Sequence, residues 1–254
     1  MFTPRRVETM KRRRVAAVAI AAAVLLGTAA CTAGVSGQPS ARPVTTEEAQ
    51  LLAVARFHSF DAGSRGFTAE VTERGSRVHV KGWIDYASNV GYAAVTGAFD
   101  PQAMLWTTTD VGIIPAAPDA AGDPPLPIPR LDDPQWRSRP LDAQTSRLDA
   151  VIAVVTALGA DRPDNPLLVQ QSGALWLRAD EIEGEPVTVF AAPPNDQPLT
   201  ATSGPVTADT SGLRLWIDAD GLIHRADARV GTDWVTIVFM SDSAPSLELP
   251  GDAP

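Results

Sequence analysis

An alternation of apolar and polar residues is the clearest pattern in this chain, and it is strongest between residues 66 and 99. A period of two is typical of a half-buried strand. Turn residues at 85–91 precede a second apolar segment at 92–99, so the region is predicted to form an antiparallel hairpin. The apolar members that share one face of its first strand are Val78, Val80, Ile84 and Tyr86.

The last third of the chain carries the same period of two. Leu213, Leu215 and Ile217 share one face of a segment there. Strands joined by short turns pair antiparallel, and the sequence shows no β-α-β alternation, so the predicted fold class is α+β. The strands predicted in this region are 174–179, 186–191, 212–218, 222–230 and 232–240.

Capping residues predict the first and the third of three helices. Thr45, followed three residues later by Glu48, forms a capping box that begins a helix ending near Phe60. The pair Asn165–Pro166 begins a short helix, because proline at the first helical position loses no hydrogen bond.

The second helix is predicted from an apolar stripe at helical spacing. Thr145 or Ser146 caps its start, and Gly159 is expected to end it in the left-handed conformation. A stripe of this width indicates a helix that packs one face against the core. Its members are Leu148, Val151, Ile152, Val155 and Leu158.

Eight prolines interrupt the pattern between residues 114 and 140. They exclude a regular helix or a central strand there. The segment is interpreted as a surface loop in preference to a polyproline ligand for a partner. In the first interpretation it could also cover or narrow the mouth of a cavity.

Residues 1–30 are predicted to be a signal peptide. Four basic residues at 11–14 precede an apolar run at 15–26 and a stretch of small residues. The apolar run is about a dozen residues, whereas a membrane-spanning helix needs about 20. The segment is therefore predicted to direct export without crossing the bilayer as a helix.

Cys31 is the chain's single cysteine, and it stands directly after the small residues at 28–30. This is the position of a lipobox cysteine, although Thr28 replaces the usual leucine. The alternative is ordinary secretory cleavage that leaves a free thiol. Lipidation is favoured because an odd cysteine in an exported protein needs an explanation. Residues 31–44 are predicted to be a flexible tether, 45–241 the folded domain, and 242–254 a disordered tail.

Charge becomes more negative once the signal peptide is removed. The whole chain has 21 basic and 30 acidic residues, of which six basic and one acidic precede Cys31, so the mature form carries a net charge of −14. Such a surface repels phosphate backbones, and no nucleic-acid partner is expected.

No motif in the sequence predicts an enzyme or a cofactor. His58, His79 and His224 lack the spacing of a zinc site, and there is no G-x-S-x-G turn. The run 218–221 could begin a calcium loop, but Arg229 occupies the position where such a loop needs its glutamate. A hairpin turn is the favoured interpretation.

The run 215–225, LWIDADGLIHR, resembles a hairpin of the LppX/LprAFG-type actinobacterial lipoproteins of the LolA-like group. The resemblance extends over about residues 45–241 in the order of elements. It implies a curved antiparallel sheet, a half-open barrel, with helices on its concave side that shelter lipid acyl chains. It also implies a lipoprotein anchored at the extracytoplasmic face of the cell membrane.

Two functions remain open at this point. In the first, a monomeric, membrane-anchored lipoprotein carries an acylated lipid or a glycolipid in an apolar slot. In the second, the same fold has a closed core and binds another protein through loops or tryptophan-bearing strand faces. The volume of the cavity beside the sheet separates them. The residues expected to line the slot are Val78, Val80, Ile84, Val151, Ile152, Val155, Leu213, Leu215 and Ile217.

Overall fold

A computed structural model describes residues 41–97, 99–192 and 211–247. The predicted signal peptide, Cys31 and most of the predicted tether lie outside these residues. Within them are three helices, α1 (Thr46–Asp61), α2 (Arg147–Ala157) and α3 (Pro166–Gln171). The strands are β1 (Arg42–Pro43), β2 (Ser64–Glu73), β3 (Ser76–Asp85), β4 (Val90–Gly97), β5 (Gln102–Trp106), β6 (Asp110–Pro115), β7 (Arg137–Pro140), β8 (Leu175–Ile182), β9 (Glu185–Ala191), β10 (Leu213–Ile217), β11 (Ile223–Val230) and β12 (Asp233–Ser243).

All twelve described strands belong to one sheet, in the order β1-β8-β9-β10-β11-β12-β2-β3-β4-β5-β6-β7. Every pairing along this order is antiparallel. The outermost strands β1 and β7 do not pair with each other, so the sheet stays open. The predicted α+β class, with a large antiparallel sheet that does not close into a full barrel, is confirmed.

The helix starts follow the predicted capping residues. The Thr45 hydroxyl accepts a hydrogen bond from the Glu48 amide at 3.2 Å, and the Glu48 carboxylate accepts one from the Thr45 amide at 2.8 Å. Ser146, the second of the two candidates, caps α2 by accepting from the Asp149 amide at 3.1 Å. Asn165 caps α3, and Pro166 is its first residue.

One face of the sheet, the inner face, carries the main hydrophobic core and all three helices contribute to it. The alternation seen in the sequence places Val78, Val80 and Ile84 on this face, where α2 brings Val151 and Ile152 against them in the same buried cluster. The helices therefore lie on one side of the sheet, as the predicted architecture requires.

The opposite, outer face of β3–β6 is covered by the proline-rich segment. Ile128 and Trp136 pack there against a second buried cluster that includes Trp83 and Tyr92. The Tyr92 hydroxyl donates to the carbonyl oxygen of Pro125 at 3.0 Å. Residues 116–136 contain no helix or strand, whereas both ends of the predicted loop 114–140 belong to strands, β6 and β7. The segment lies on the side of the sheet opposite the main core, so it does not cover the mouth of an inner cavity.

The ordered domain extends beyond the predicted limits 45–241 at both ends. Arg42 and Pro43, assigned to the tether, form β1, and the following Val44 is buried. At the other end β12 continues to Ser243, and Leu247 is buried in the outer cluster. Short strands next to prolines and a tail without alternation carry too little local signal to be predicted.

The expected role of Gly159 is also wrong. Helix α2 ends at Ala157 with Leu158 as its cap, and Gly159 is not among the residues with a positive φ. A Cβ atom on Gly159 would instead overlap the ring of Tyr86. Close approach of an aromatic side chain, rather than a left-handed backbone, requires glycine here.

An ion pair between the partly exposed Arg139 and the buried Asp149 joins β7 to the start of α2. The Asp149 side chain is 0 % exposed and binds both guanidinium nitrogens of Arg139, one of them at 2.7 Å. It also accepts from the Asp142 amide at 2.8 Å. Burial alone raises the pKa of Asp149, but these hydrogen bonds outweigh it and hold the pKa below its ordinary value.

We expect Asp149→Asn to lower the free energy of unfolding at pH 7 by about 1.5–3 kcal/mol, because it removes charged hydrogen bonds in a buried place. A lowered pKa in the folded state stabilises the fold above the unfolded pKa, about 3.9, and this contribution is lost as the pH falls. The gap between wild type and variant, measured by urea unfolding, should therefore narrow below about pH 4.

Asp132→Asn is the control, since Asp132 pairs with Arg130 in an exposed position. It should have a far smaller effect at every pH. If the difference in the free energy of unfolding between wild type and Asp149→Asn stayed constant down to about pH 2.5, the charge of Asp149 would not have the role given to it.

Candidate functional site

The nine residues expected to line a slot do come together on the inner face. Eight of them are at most 4 % exposed, and Leu213 is half-buried against the same cluster. Neither of the two best-defined clefts is lined by any of the nine. The residues thus form a packed wall between sheet and α2 in this structure. Their binding of a ligand stays a prediction.

Substitution of a bulky residue into this wall tests whether the wall is tightly packed. We expect Val80→Trp to cost about 1–3 kcal/mol in the free energy of unfolding, because a packed core resists added volume. His79→Trp is the matched control, as the neighbouring side chain points to the outer face and is exposed; it should change stability by less than about 0.5 kcal/mol. Equal unfolding midpoints for the two variants would show empty space beside Val80.

Two adjoining clefts lie at the end of α2. They have volumes of about 330 Å³ and about 580 Å³, and both are lined by Asn89 and Gly159. We call them together the double cleft. The smaller half is also lined by Thr107, Thr108, Leu141, Ala153, Thr156 and Ala157, and the larger half by Arg56, Phe60, Tyr86, Ala87, Ala160, Asp161, Arg162 and Asp164.

Tyr86 forms the boundary between the double cleft and the core. Its ring lines the larger half, yet it is fully buried and belongs to the main cluster. Its hydroxyl donates to the carbonyl oxygen of Val155 at 3.2 Å, and Gly159 leaves room for its ring. Burial strongly raises the pKa of Tyr86, so the phenol stays neutral. The Tyr86 side chain thus belongs both to the lining of the larger half and to the main core.

The two halves of the double cleft differ in chemistry. In the smaller half, Leu141, Ala153 and Ala157 present apolar surface beside hydroxyl groups. In the larger half, Arg56 donates to the carbonyl oxygen of Ala157 at 2.8 Å and pairs with Asp164 at 3.5 Å. A ligand that occupied both halves would need an apolar part and a polar part.

Arg65 is a buried cation that the sequence analysis missed. It lies in β2 opposite Ile84 and is 6 % exposed, with its guanidinium 4.4 Å from the centre of the Phe239 ring. Its Nη1 atom has no hydrogen-bond partner within the described residues. Burial lowers the pKa of Arg65. Its position in an otherwise apolar alternation was the signal available in the sequence.

Two of the three histidines lie beside a carboxylate. The His224 Nε2 atom lies 2.7 Å from the Asp218 carboxylate, and His79 lies 3.2 Å from Glu70. The other Asp218 oxygen accepts the amides of Asp220 and Leu222 at 3.0 and 2.8 Å. The turn interpretation of 218–221 is confirmed, because the Gly221 amide donates to the carbonyl oxygen of Asp218 at 3.2 Å between the paired strands β10 and β11. Within the described ranges no group of three potential metal ligands is found.

The outer face of β8–β12 carries stacked arginine and tryptophan side chains. Trp216 lies between Arg178 and Arg225, whose guanidinium carbons are 5.6 and 4.3 Å from its ring centre. Trp234 lies between Arg214 and Arg229 at 4.3 and 5.4 Å. Such stacking combines cation–π attraction with apolar cover for the ring. The Trp216 ring is itself buried, and its two arginines also pair with Asp180 and Asp227, so their charge is balanced locally.

Comparison with solved structures finds proteins of similar structure. The chain is similar to the crystal structure of LprF from Mycobacterium bovis, with a TM-score of 0.38 and 14% identity, over 82% of this chain and 99% of that chain. At this level of similarity the two proteins need not share a site or a ligand. No protein-family model matches the chain, and no curated protein does. In the part of the chain that the structure covers, no helix has the length and hydropathy to cross a bilayer.

Proposed function

We propose that this chain is a cell-envelope lipoprotein that binds an amphiphilic ligand, an acylated lipid or a glycolipid, in the double cleft. The observation that carries the proposal is the junction of an apolar half and a charged half at Asn89 and Gly159. Their volumes fall within the range of about 300–1,000 Å³ that ligand sites occupy. The apolar half suits part of an acyl chain, and the charged half suits a headgroup.

The anchor in this proposal is a lipid on Cys31 at the extracytoplasmic face of the membrane. The sequence supports it through the basic, apolar and small-residue segments that precede the chain's single thiol. Lipidation there would leave the folded domain, which begins at β1, about ten residues from the bilayer surface.

In this proposal the nine aliphatic residues of the inner face would contact the distal part of a longer acyl chain. They lie behind Tyr86, so a longer acyl chain reaches them only if that side chain moves away from Gly159. In this arrangement the closed wall is the resting state, and the double cleft is the entrance to it.

Replacing the thiol tests the anchor. We expect Cys31→Ser to move the protein from the membrane fraction to the soluble fraction, because lipidation needs that sulfur. Cells expressing either form are fractionated and the membranes extracted with carbonate, and intact mass shows whether acyl groups are attached. A Cys31→Ser protein that resists carbonate extraction would show that another feature holds the chain on the membrane.

Filling the smaller half of the cleft tests ligand binding. Ala157 is exposed at the end of α2 and lines the cleft, so Ala157→Trp should displace the ligand without disturbing the core. Both proteins are purified in the Cys31→Ser background and extracted with organic solvent, and the lipids are counted by mass spectrometry. We expect the variant to retain less than about a tenth of the wild-type lipid, a loss worth about 1.4 kcal/mol or more.

Gln50→Trp places the same side chain at an exposed position of α1 that does not line the cleft, and it should retain the wild-type amount. Wild-type protein that yields no lipid under these conditions would contradict the proposal.

A second candidate is a lipid-anchored protein-interaction module with no ligand. The packing of the nine aliphatic residues favours it, since a closed core leaves few voids larger than a water molecule. The half-buried Trp234 with Arg214 and Arg229 on the outer face gives it a surface, as these residue types are common at interaction hot spots. Absence of lipid in the extraction, together with a destabilised Val80→Trp, would make this the better account.

A further inference from the structure

Helix α3 exposes two adjacent leucines. Leu167 and Leu168 are 62 and 63 % exposed, more than any other large hydrophobic residue in the described ranges. No residue of α3 is buried, although Val169 packs at the margin of the main core. The Asn165 cap and Pro166 support this six-residue helix locally. Single exposed leucines are ordinary, whereas a neighbouring pair on a helix with no buried side chain indicates a surface that is covered in use.

The chain enters the domain beside this helix. Pro43 pairs with Leu175, and the Val44 amide donates to the carbonyl oxygen of Ala174 at 3.3 Å, three residues after α3 ends. Ala174 lies six positions after Leu168, a span of at most about 20 Å. Arg42 lies eleven positions after Cys31, at most about 40 Å away along a fully extended chain. A bilayer that holds a lipid on Cys31 is therefore within reach of α3.

The same helix follows the charged half of the double cleft. Asp161, Arg162 and Asp164 line that half, and α3 begins two residues later at Pro166. Phe60 of α1, the helix that packs against α3, lines it as well. A surface that touched the two leucines would consequently lie next to the mouth of the cleft.

We propose that α3 rests on the lipid bilayer and places Leu167 and Leu168 at the boundary between headgroups and acyl chains. This inference rests on the proposed lipid anchor at Cys31. It brings the mouth of the double cleft to the membrane, so that an acylated ligand can pass between bilayer and cleft without crossing water. The surface that covers the two leucines is thus the same membrane to which the lipid on Cys31 would attach the chain.

Size decides between a bilayer and a protein partner. Two leucine side chains offer roughly 200 Å² of apolar surface, whereas a stable protein interface buries about 800 Å² on each partner. A patch this small is sufficient at a membrane, where shallow apolar insertion adds to the hold of a lipid anchor.

Fluorescent probes at single cysteines test the orientation. Lipidation consumes the sulfur of Cys31, the chain's single cysteine, so Leu168→Cys would provide the only free thiol of the lipidated full chain. The thiol is labelled with a polarity-sensitive fluorophore. The protein is then reconstituted into phosphatidylethanolamine–phosphatidylglycerol vesicles that contain nitroxide-labelled lipid as a quencher.

The matched controls are Leu126→Cys and Leu131→Cys, in the proline-rich segment. Those leucines are 49 and 46 % exposed, and their segment covers the outer face of the sheet. We expect blue-shifted emission and strong quenching by nitroxide lipid at position 168, and aqueous emission with weak quenching at 126 and 131.

Flotation of the vesicles separates failure of this inference from failure of the anchor. Protein that floats with the vesicles but shows equal quenching at all three positions overturns the placement of α3 and leaves the anchor intact. Lipidated protein that does not float overturns the anchor, and the inference with it.

Discussion

The packing of α2 against the inner face of the sheet is the contact on which the rest of this domain depends. The described residues contain no cysteine, so no disulfide bond stabilises the domain. Val151, Ile152 and Val155 are fully buried against the aliphatic residues of the sheet. Each such side chain stabilises the fold by about 1.5–3 kcal/mol relative to exposure. The ion pair between Arg139 and the buried Asp149 holds the start of α2 at the edge strand β7.

Placement of α2 determines what lies at its other end. The helix ends beside Tyr86, the residue that follows β3. Gly159, in the loop after α2, leaves space for the Tyr86 ring. Thr156 accepts a hydrogen bond from Trp106 at 3.0 Å, so the last turn is also fixed to β5. The double cleft exists because helix, loop and hairpin turn meet around one aromatic ring without filling the space above it. Core packing and the candidate site are consequences of the same contact.

Much of this fold follows from local pattern. The alternation in β3 and the stripe of α2 are strong because each element buries one face, and Thr45, Ser146 and Asn165 act as caps through hydrogen bonds to their own neighbours. Strands β1, β6 and β7 could not be predicted in this way. They are short or flanked by proline, and they exist because a neighbouring strand offers partners that are distant in sequence.

The candidate site was only partly accessible from the sequence. Grouping the nine aliphatic residues on one face succeeded, but tight packing and an open slot require the same pattern, so periodicity cannot separate them. The double cleft joins Asn89 and Gly159 from turns that are 70 residues apart, and no local signal links them. Arg65 is visible in the sequence as one charged residue on an apolar strand face. That it is buried in the core can be seen only in the folded structure.

The open sheet leaves two edges, and their form affects how copies of this protein behave side by side. The edge strands β1 and β7 are two and four residues long, and each ends in a proline, Pro43 and Pro140. Proline has no amide hydrogen to donate, and a short edge offers few groups for another strand to join. The proposed lipid anchor would concentrate copies of this protein on one membrane, where an exposed edge would promote aggregation. This sheet can therefore remain open without becoming a template for its neighbours, and any partner must approach a face of the sheet or the helices.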